Sequence, residues 1–426
     1  MTIDRIKGPA IHAIGENLQF PQYQLTQLTN ALPLAYYSVQ NSTIVQLTFT
    51  FQAGLWNHPK KLVSSLTNRL LREGTQLHSA TEIAEWFEYH GASLNTSHDS
   101  DYASVSLYCL RKHLSALLPW LAEVIQSPAY NEAELALQIK LGKESLKQEA
   151  EKTEFIAGQQ FGKSLFGEQH PYGRSNSLAD YDAVTCQDLR KYHASHYHAG
   201  NAKLFAYGAV DSEILQQLEF FFGQENWPAK AKPIIPTYSI MPEAQLLQYI
   251  EKEKAVQTSI RIGAECIAPE HPDYQAYKIT CIVLGGYFGS RLMSSVREEK
   301  GYTYGIHAGI VNRLYSNYFR ISTEVGKHVR EDAVATILEE IKILQSELME
   351  QDELDGVRNY LLGNYVDQQS NFFQTSSLIN HYFVYNKTED DYNHALAVLR
   401  NIQVETIQEM AQKHFAVDKL YQVLAG

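Results

Sequence analysis

The residues best suited to chemistry are an arginine and a tyrosine in the second half of the chain, Arg297 and Tyr304. The surrounding pattern predicts a glycine-rich turn, a helix over 290–300, a C-cap at Gly301 and a strand from Tyr302. A guanidinium in the last helical turn and a phenol on the next strand can reach one point, where their donors suit a carbonyl oxygen or a developing oxyanion. The alternative is an ordinary surface arginine beside a half-buried tyrosine.

Composition describes a soluble globular protein with an acidic surface. The 426 residues suggest about two or three domains. Hydrophobic residues make up 44% and charged residues 20%, which is ample for a core. A net charge of −12 argues against nucleic acid or an anionic membrane as a partner. The cysteines are scattered without metal-binding or disulfide spacing. We expect a cytoplasmic protein, because neither a signal-peptide core nor a membrane-spanning run is found.

Strands and helices follow one another in the same order in both halves. The shared positions recur at a nearly constant offset of 210 or 211 residues, namely Val45-Gln46 with Val256-Gln257, Gly74 with Gly285, Glu88 with Glu298, and Gly91 with Gly301. This predicts a duplicated α+β domain. The proline-rich stretch between the copies is the best linker, so the expected domains are 1–223 and 243–426, joined by 224–242.

Four helix predictions depend on local signals. They are a helix over 60–72, a helix over 82–89 capped by Thr81, a helical region over 132–166 interrupted near Gly158, and a long helix from Asp352 to Asn380 or beyond.

The run Ser290-Arg291-Leu292-x4-Arg297-Glu298-x2-Gly301-x2-Tyr304 resembles the Arg/Tyr motif of the M16 family of zinc peptidases (pitrilysin, insulinase, mitochondrial processing peptidase). The resemblance covers essentially the whole chain. It implies two homologous αβ domains of the M16/LuxS-like metallohydrolase fold, arranged as a clam-like duplicate.

The zinc motif of that family, His-x-x-Glu-His, is degenerate here. The flank 70–75 resembles the sequence that follows the motif and places Ser65 and Arg69 at the histidines and Asn68 at the glutamate. A hydroxyl is a poor zinc ligand, an amide is no base, and a guanidinium cannot be deprotonated to bind a cation. We therefore expect no metal and no cofactor in this chain. Glu144 matches the family's third ligand or is a solvated helix glutamate, and we expect Arg69 to approach it.

Three further patterns could indicate a binding site: a strand-like stretch, a group of histidines and a group of glycines. Asn95 lies in a stretch, 91–99, that resembles the strand on which M16 peptidases bind extended peptides, although it could be kept only for the fold. His193, His196 and His198 have metal-like spacing, but their segment matches a structural helix-to-strand junction of the family. The glycines at 285–289 lack the features of a phosphate-binding loop.

Together these features resemble the non-catalytic subunit of a two-chain M16 peptidase. The resemblance implies a His-x-x-Glu-His partner that holds zinc, either a distinct chain or a second copy of this one. Arg297 would bind the carbonyl of a peptide substrate and Tyr304 would stabilise the oxyanion in the partner's site. The alternatives are a structural or peptide-binding protein without hydrolysis, and a peptidase of unusual ligation.

Overall fold

The computed structural model describes residues 17–225, 227–231 and 233–426. The stretch before residue 17 lies outside the described residues. The expected start of the first domain and the segment in which we expect no signal peptide both fall there. Residues 226 and 232 of the predicted linker also lie outside the described residues.

The first half alternates strands with helices. Its strands are β1 (Gln24–Gln27), β2 (Pro33–Ser38), β3 (Ile44–Phe51), β4 (Ser93–His98), β5 (Ala103–Leu110) and β6 (Ala202–Gly208). Its helices are α1 (Val63–Arg69), α2 (Ala80–Tyr89), α3 (Leu114–Gln126), α4 (Glu132–Glu149), α5 (Thr153–Phe166), α6 (Leu178–Ala183), α7 (Cys186–His196) and α8 (Ser212–Phe222).

The second half repeats this order. Its strands are β7 (Leu247–Ile250), β8 (Gln257–Glu265), β9 (Ile306–Asn312), β10 (Asn317–Gly326) and β11 (Tyr421–Ala425). Its helices are α9 (Tyr274–Gly285), α10 (Arg330–Ser346), α11 (Gln351–Asp367), α12 (Phe372–Val384), α13 (Glu389–Asn401) and α14 (Val404–His414), with a π-helical segment over Met293–Glu299.

The two sheets have the same topology. The first has the strand order β1-β2-β6-β3-β5-β4, and the second, β7-β11-β8-β10-β9, reproduces it without a counterpart of β1. In each sheet one pair is parallel, β2 with β6 and β7 with β11. Gly91 and Gly301, matched by the repeat, both adopt left-handed φ values, +59° and +64°. The predicted α+β duplication is confirmed, and β4 and β9 are its equivalent edge strands.

Alternation along the strands assigns the two faces of each sheet. On β3, Val45, Leu47 and Phe49 point into a core formed with helices of the same half, while Gln46 and Thr48 point to the opposite face. Ile260 and Ile262 on β8 point in the same way into the core of the second half.

The halves exchange one helix each across these opposite faces. Helix α5 of the first half places Phe161 and Leu165 against Val423 and Ala425 of β11 in the second sheet. Helix α12 of the second half places its own apolar residues against Ala35, Phe205 and Tyr207 of the first sheet. Each sheet is therefore completed by a helix from the other half.

A hairpin turn provides a second junction between the halves. The turn between β9 and β10 places the ring of Tyr315 against Trp56 of the first half, with 4.2 Å between ring centroids. The buried carboxylate of Asp101 accepts hydrogen bonds from the Tyr172 hydroxyl (2.5 Å) and from the backbone N–H of Leu314 (3.0 Å). The turn thus docks on a buried acceptor.

Two helix starts differ from the predictions. Helix α1 begins at Val63 rather than residue 60, because Leu62 has a left-handed backbone (φ +66°). Ser79, not Thr81, caps α2, since its hydroxyl accepts the Glu82 N–H and the Glu82 carboxylate accepts from Ser79 in return.

Two long helices are each divided in two. The break between α4 and α5 lies at 150–152 instead of Gly158, where the Lys252 ammonium donates to the carbonyls of Ala150 and Glu151 (3.2 and 2.6 Å). The predicted helix from Asp352 to Asn380 ends at Asp367, and Asn371 caps the separate helix α12. Both breaks precede the exchanged helices. Within the described ranges, no helix combines the length and apolarity needed to cross a membrane.

Candidate functional site

Arg297 lies in the π-helical segment, which is a rare helix type that is often found at functional sites. The segment ends as the sequence predicts, since the N–H groups of Gly301 and Tyr302 bond back to the carbonyls of Arg297 and Val296 (3.1 and 3.0 Å). Gly301 adopts the left-handed backbone conformation that this helix ending requires.

The guanidinium of Arg297 lies over the ring of Phe288, 4.6 Å from its centroid. Phe288 is itself largely exposed. Across the described part of the chain, Arg297 makes no ion pair. Its charge is therefore held by an aromatic face at the surface and is open to a further anionic or carbonyl partner.

Tyr304 lies on a loop rather than on a strand. The predicted strand from Tyr302 begins only at Ile306, because the Thr303 hydroxyl donates to the Gly305 carbonyl and accepts the Gly305 N–H, which turns the backbone. Tyr304 is 93% exposed. Among the described residues no hydrogen bond joins Tyr304 to Arg297, so the structure places both at the surface of one half with separate neighbours.

A salt bridge fixes the helical segment that carries Arg297. The Arg291 guanidinium donates two parallel hydrogen bonds to the Glu353 carboxylate on α11, at 2.9 and 3.0 Å. Lys300, at the other end of the segment, donates to Thr336 on α10 (2.8 Å). Paired contacts of this kind hold both ends of the segment against its own half.

The positions that match the zinc motif serve local structure. The Ser65 hydroxyl donates to the Leu62 carbonyl (3.1 Å), and the buried amide of Asn68 donates to the Ser104 carbonyl of β5 (3.3 Å). Arg69 is exposed. A hydroxyl, an amide donor and a guanidinium do not form a zinc-binding set, so the residues present do not fit the metal of active family members.

The expected contact between Arg69 and Glu144 is wrong. Glu144 is exposed on α4, and its carboxylate pairs with Lys147 one turn away (2.8 Å). The Lys147 ammonium lowers the pKa of this carboxyl. The alternative of a solvated helix glutamate describes Glu144 correctly. Elsewhere in the described ranges, no group of three or more His, Cys, Asp or Glu side chains is arranged to hold a metal ion.

Asn95 lies on the edge strand β4, where it donates to the Ser93 hydroxyl (2.8 Å). A groove of about 560 Å³ runs between this strand and α2, with Phe87 and Arg72 in its walls. The Arg72 guanidinium lies 3.4 Å from the Leu94 carbonyl. An open sheet edge beside a groove can accept an extended peptide, which is the role predicted for this stretch.

The three histidines at 193–198 have structural partners. His193 binds the Ile125 carbonyl (2.8 Å), His196 stacks on Tyr192, and His198 binds the Ser195 carbonyl (3.1 Å). Burial lowers the pKa of His193 and His196 to about 4. Neutral, hydrogen-bonded imidazoles of this kind agree with the structural interpretation of their motif.

Sequence reasoning missed one charged group near Tyr304. Arg261 on β8 is buried, although it is charged and lies between Ile260 and Ile262. It lines a pocket together with Tyr304. The available signal was a single arginine between two apolar residues, Ile260 and Ile262, of a predicted strand.

Two family models match the chain. Residues 35–166 match the family described as Insulinase (Peptidase family M16), and residues 183–361 match the Peptidase M16 inactive domain. The chain belongs to the M16 peptidase family. The second matched region includes α7, β6 and α8 of the first half and continues into the second half.

Relatives of this M16 chain carry divergent descriptions. It is 23% identical over 306 residues to an uncharacterized zinc protease, YmxG, of Bacillus subtilis, covering 71% of this chain and 73% of the relative. It is 22% identical over 333 residues to the non-peptidase homolog YmxG of Helicobacter pylori, covering 75% and 74%. Both similarities extend over most of the two chains.

Solved structures share the M16 fold. The peptidase M16 inactive domain from Pseudomonas fluorescens superposes with a TM-score of 0.86 at 24% identity, covering 95% of this chain and 98% of that one. A protease from Helicobacter pylori gives 0.83 at 18% identity, covering 95% and 99%. At these identities the likeness concerns the fold alone. The inactive-domain match and the non-peptidase relative fit a non-catalytic M16-like protein.

Proposed function

We propose that this chain is the non-catalytic subunit of a two-chain M16 metallopeptidase. The partner carries His-x-x-Glu-His and zinc, and this chain contributes Arg297 and Tyr304 to the shared site. Arg297 binds the carbonyl of the scissile peptide, and Tyr304 donates its hydroxyl to the oxyanion that forms when water adds.

The exposure of Tyr304 is the observation that carries this proposal. A tyrosine ring at 93% exposure contributes little to its own domain. The arginine of the same motif lies at the surface of the same half, stacked on an exposed ring. Neither side chain has a role in the core, so both are available to a substrate held by another subunit.

Co-expression with a His-x-x-Glu-His subunit from the same organism tests the proposal. Cleavage of a quenched fluorescent peptide by the reconstituted pair is compared between wild type and Tyr304→Phe. We expect the variant to lose about 10²–10³-fold in kcat, the usual value of one oxyanion donor. Its free energy of unfolding should be unchanged, because an exposed hydroxyl is removed.

Tyr302→Phe is the matched control, because it removes a hydroxyl from a neighbouring tyrosine that packs against the second core. It should keep wild-type turnover. Wild-type turnover in the Tyr304→Phe pair would refute the shared-site role.

A peptide-binding role without hydrolysis is the second candidate. The separate neighbours of Arg297 and Tyr304, and the groove beside β4, favour it. It predicts that the chain binds extended peptides alone, and that no pairing with a zinc-bearing subunit, or with itself, produces cleavage.

A further inference from the structure

A pocket of about 380 Å³ lies on the second sheet beside Tyr304. It opens on the face opposite the core of that half, beyond the area covered by α5. Its walls come from the start of α5, from β8 and β10, and from the loop before β9, and include Glu154, Arg261, Tyr304, Ser322 and Glu324. Both halves of the chain thus contribute to one pocket.

The strand register builds a polar row across this face. Ser322 of β10 lies opposite Arg261 of β8 on one side and opposite His307 of β9 on the other. The alternate residues, Ile321 and Ile262 among them, point into the core. Polar side chains on three adjacent strands therefore form a row that runs from the central strand β8 to the edge strand β9.

Arg261 is the charged centre of the pocket and is only 5% exposed. One of its nitrogens donates to the Ser259 hydroxyl (2.9 Å) and the Ile260 carbonyl (3.0 Å), and another donates to Glu154 (3.2 Å). Burial lowers the pKa of this guanidinium. A buried cation needs an anionic partner, and the pocket supplies one through a single hydrogen bond.

That partner is poorly fixed. The Glu154 side chain is 69% exposed and reaches Arg261 from the first turn of α5. A carboxylate held at one oxygen and surrounded by water exchanges readily with another carboxylate. Glu154 therefore shows that the buried guanidinium binds a carboxylate.

Ser322 provides an independent sign of a missing ligand. Its hydroxyl oxygen is buried and has no hydrogen-bond partner in the described structure. Buried polar groups in folded proteins are nearly always hydrogen-bonded, so a buried hydroxyl without a partner needs an explanation, and a ligand in the pocket that it lines supplies one. Its position opposite Arg261 lets a hydroxyl and a guanidinium address the same anion.

We propose that this pocket binds the terminal carboxylate of an extended peptide, with Arg261 and Ser322 as donors and Glu154 displaced. Two flanking carboxylates, Glu154 and Glu324, favour a monoanion over a doubly charged phosphate. The pocket adjoins the open edge strand β9, along which an extended chain can pair. The assignment of the ligand as a peptide rests on the proposed function, while the carboxylate preference rests on the pocket.

Fluorescence anisotropy on the full chain, without any partner subunit, tests this. The probe is a fluorescein-labelled hexapeptide of alanine and valine, prepared with a free C-terminus, as the C-terminal amide, and as an amide with glutamate at the fifth position. We expect the free acid to bind at least tenfold more tightly than either amide. Arg261→Gln and Ser322→Ala should each reduce that preference, and Glu154→Gln should increase affinity for the free acid several-fold.

Arg330→Gln is the matched control, because Arg330 is a partly buried arginine of the same half that contacts Tyr249 and Glu251 instead. It should leave the preference intact. Urea unfolding checks that Arg261→Gln remains folded, and Glu154→Gln and Ser322→Ala decide the matter if it does not. Equal binding of acid and amides, tight binding of the glutamate amide, or an unchanged affinity in Glu154→Gln would each overturn the proposal.

The pocket proposal and the proposed function can each fail while the other holds. A chain that prefers the free acid but adds nothing to cleavage by a reconstituted pair supports the pocket and rejects the shared active site. A chain that supports cleavage without the acid preference rejects the pocket alone.

Discussion

Replacing Phe161 by alanine tests the exchange of helices most directly. Phe161 belongs to the first half by sequence, yet its ring packs on the second sheet in a cluster with Val423 and Ala425. It lies over Gly263 of β8, where a Cβ atom would stand 3.0 Å from the Phe161 ring. The destabilisation should therefore appear in the half to which the residue does not belong.

The size of the effect follows from burial. Phe161 is 2% exposed, so nearly the whole side chain is transferred from water on folding. Burying a phenylalanine side chain contributes about 1.5–3 kcal/mol, and the cavity left by its removal raises the usual cost of Phe→Ala to about 3–5 kcal/mol. Glycine at 263 has no side chain of its own to fill the space.

Hydrogen exchange measured by mass spectrometry locates the loss. In Phe161→Ala we expect peptides from β8 and β11 to exchange faster, while β3 and β5 keep their protection. Urea unfolding gives the total change in the free energy of unfolding. Phe87→Ala is the matched control, because Phe87 is buried to the same extent in the first core. Its loss of protection should centre on the first half.

Two results would contradict this reasoning. Faster exchange confined to β3 and β5 in Phe161→Ala would mean that α5 stabilises its own half instead. A loss of unfolding free energy below about 1 kcal/mol in Phe161→Ala would mean that the ring packs loosely on the second sheet. A well-packed phenylalanine costs more than that to remove, even when its cavity partly collapses.

Two further predictions concern stability. Ser79→Ala should lower the free energy of unfolding by about 1 kcal/mol because it removes the capping box of α2, whereas Thr81→Ala should leave that free energy nearly unchanged. Urea unfolding of both variants measures the difference, and an equal effect would refute the assignment of the cap to Ser79. Burial raises the pKa of the Asp101 carboxyl, so the folded state binds a proton there more tightly than the unfolded state does. The contribution of Asp101 to the free energy of unfolding therefore increases as the pH falls from above the folded pKa towards the ordinary pKa of an aspartate. The unfolding free energy of wild type minus that of Asp101→Asn should therefore increase as the pH falls from 7 to about 4, and a difference independent of pH would contradict it.

Local pattern predicted the individual elements well and their connections less well. Local signals were sufficient to predict helices α1 and α2, and the structure differs in their starts and in the cap of α2. The break before α5 has no glycine or proline, and Lys252, which donates to its carbonyls, comes from the second half. A contact a hundred residues away leaves no signal in the local sequence. The capping box at Ser79 did carry a signal, the serine three residues before Glu82.

The site was predictable by type and less so by geometry. Arg297 and Tyr304 lie at the surface, as a motif for substrate binding suggests, but the turn made by the Thr303 hydroxyl puts Tyr304 on a loop. The contact expected between Arg69 and Glu144 is not formed, and Glu144 pairs with a lysine of its own helix instead. The pocket around Arg261 depends on strand register and on a helix from the other half, which a single sequence does not specify.

The exchange of α5 and α12 also sets the order in which the protein can be completed during synthesis. Helix α12 follows the first sheet by more than 160 residues, so the surface that includes Phe205 and Tyr207 stays uncovered while the second half is being made. A nascent first half therefore exposes apolar surface for as long as those residues take to be translated, at a rate of about 5–20 residues per second. Cutting the chain at the linker would leave each fragment with the helix that the other one needs.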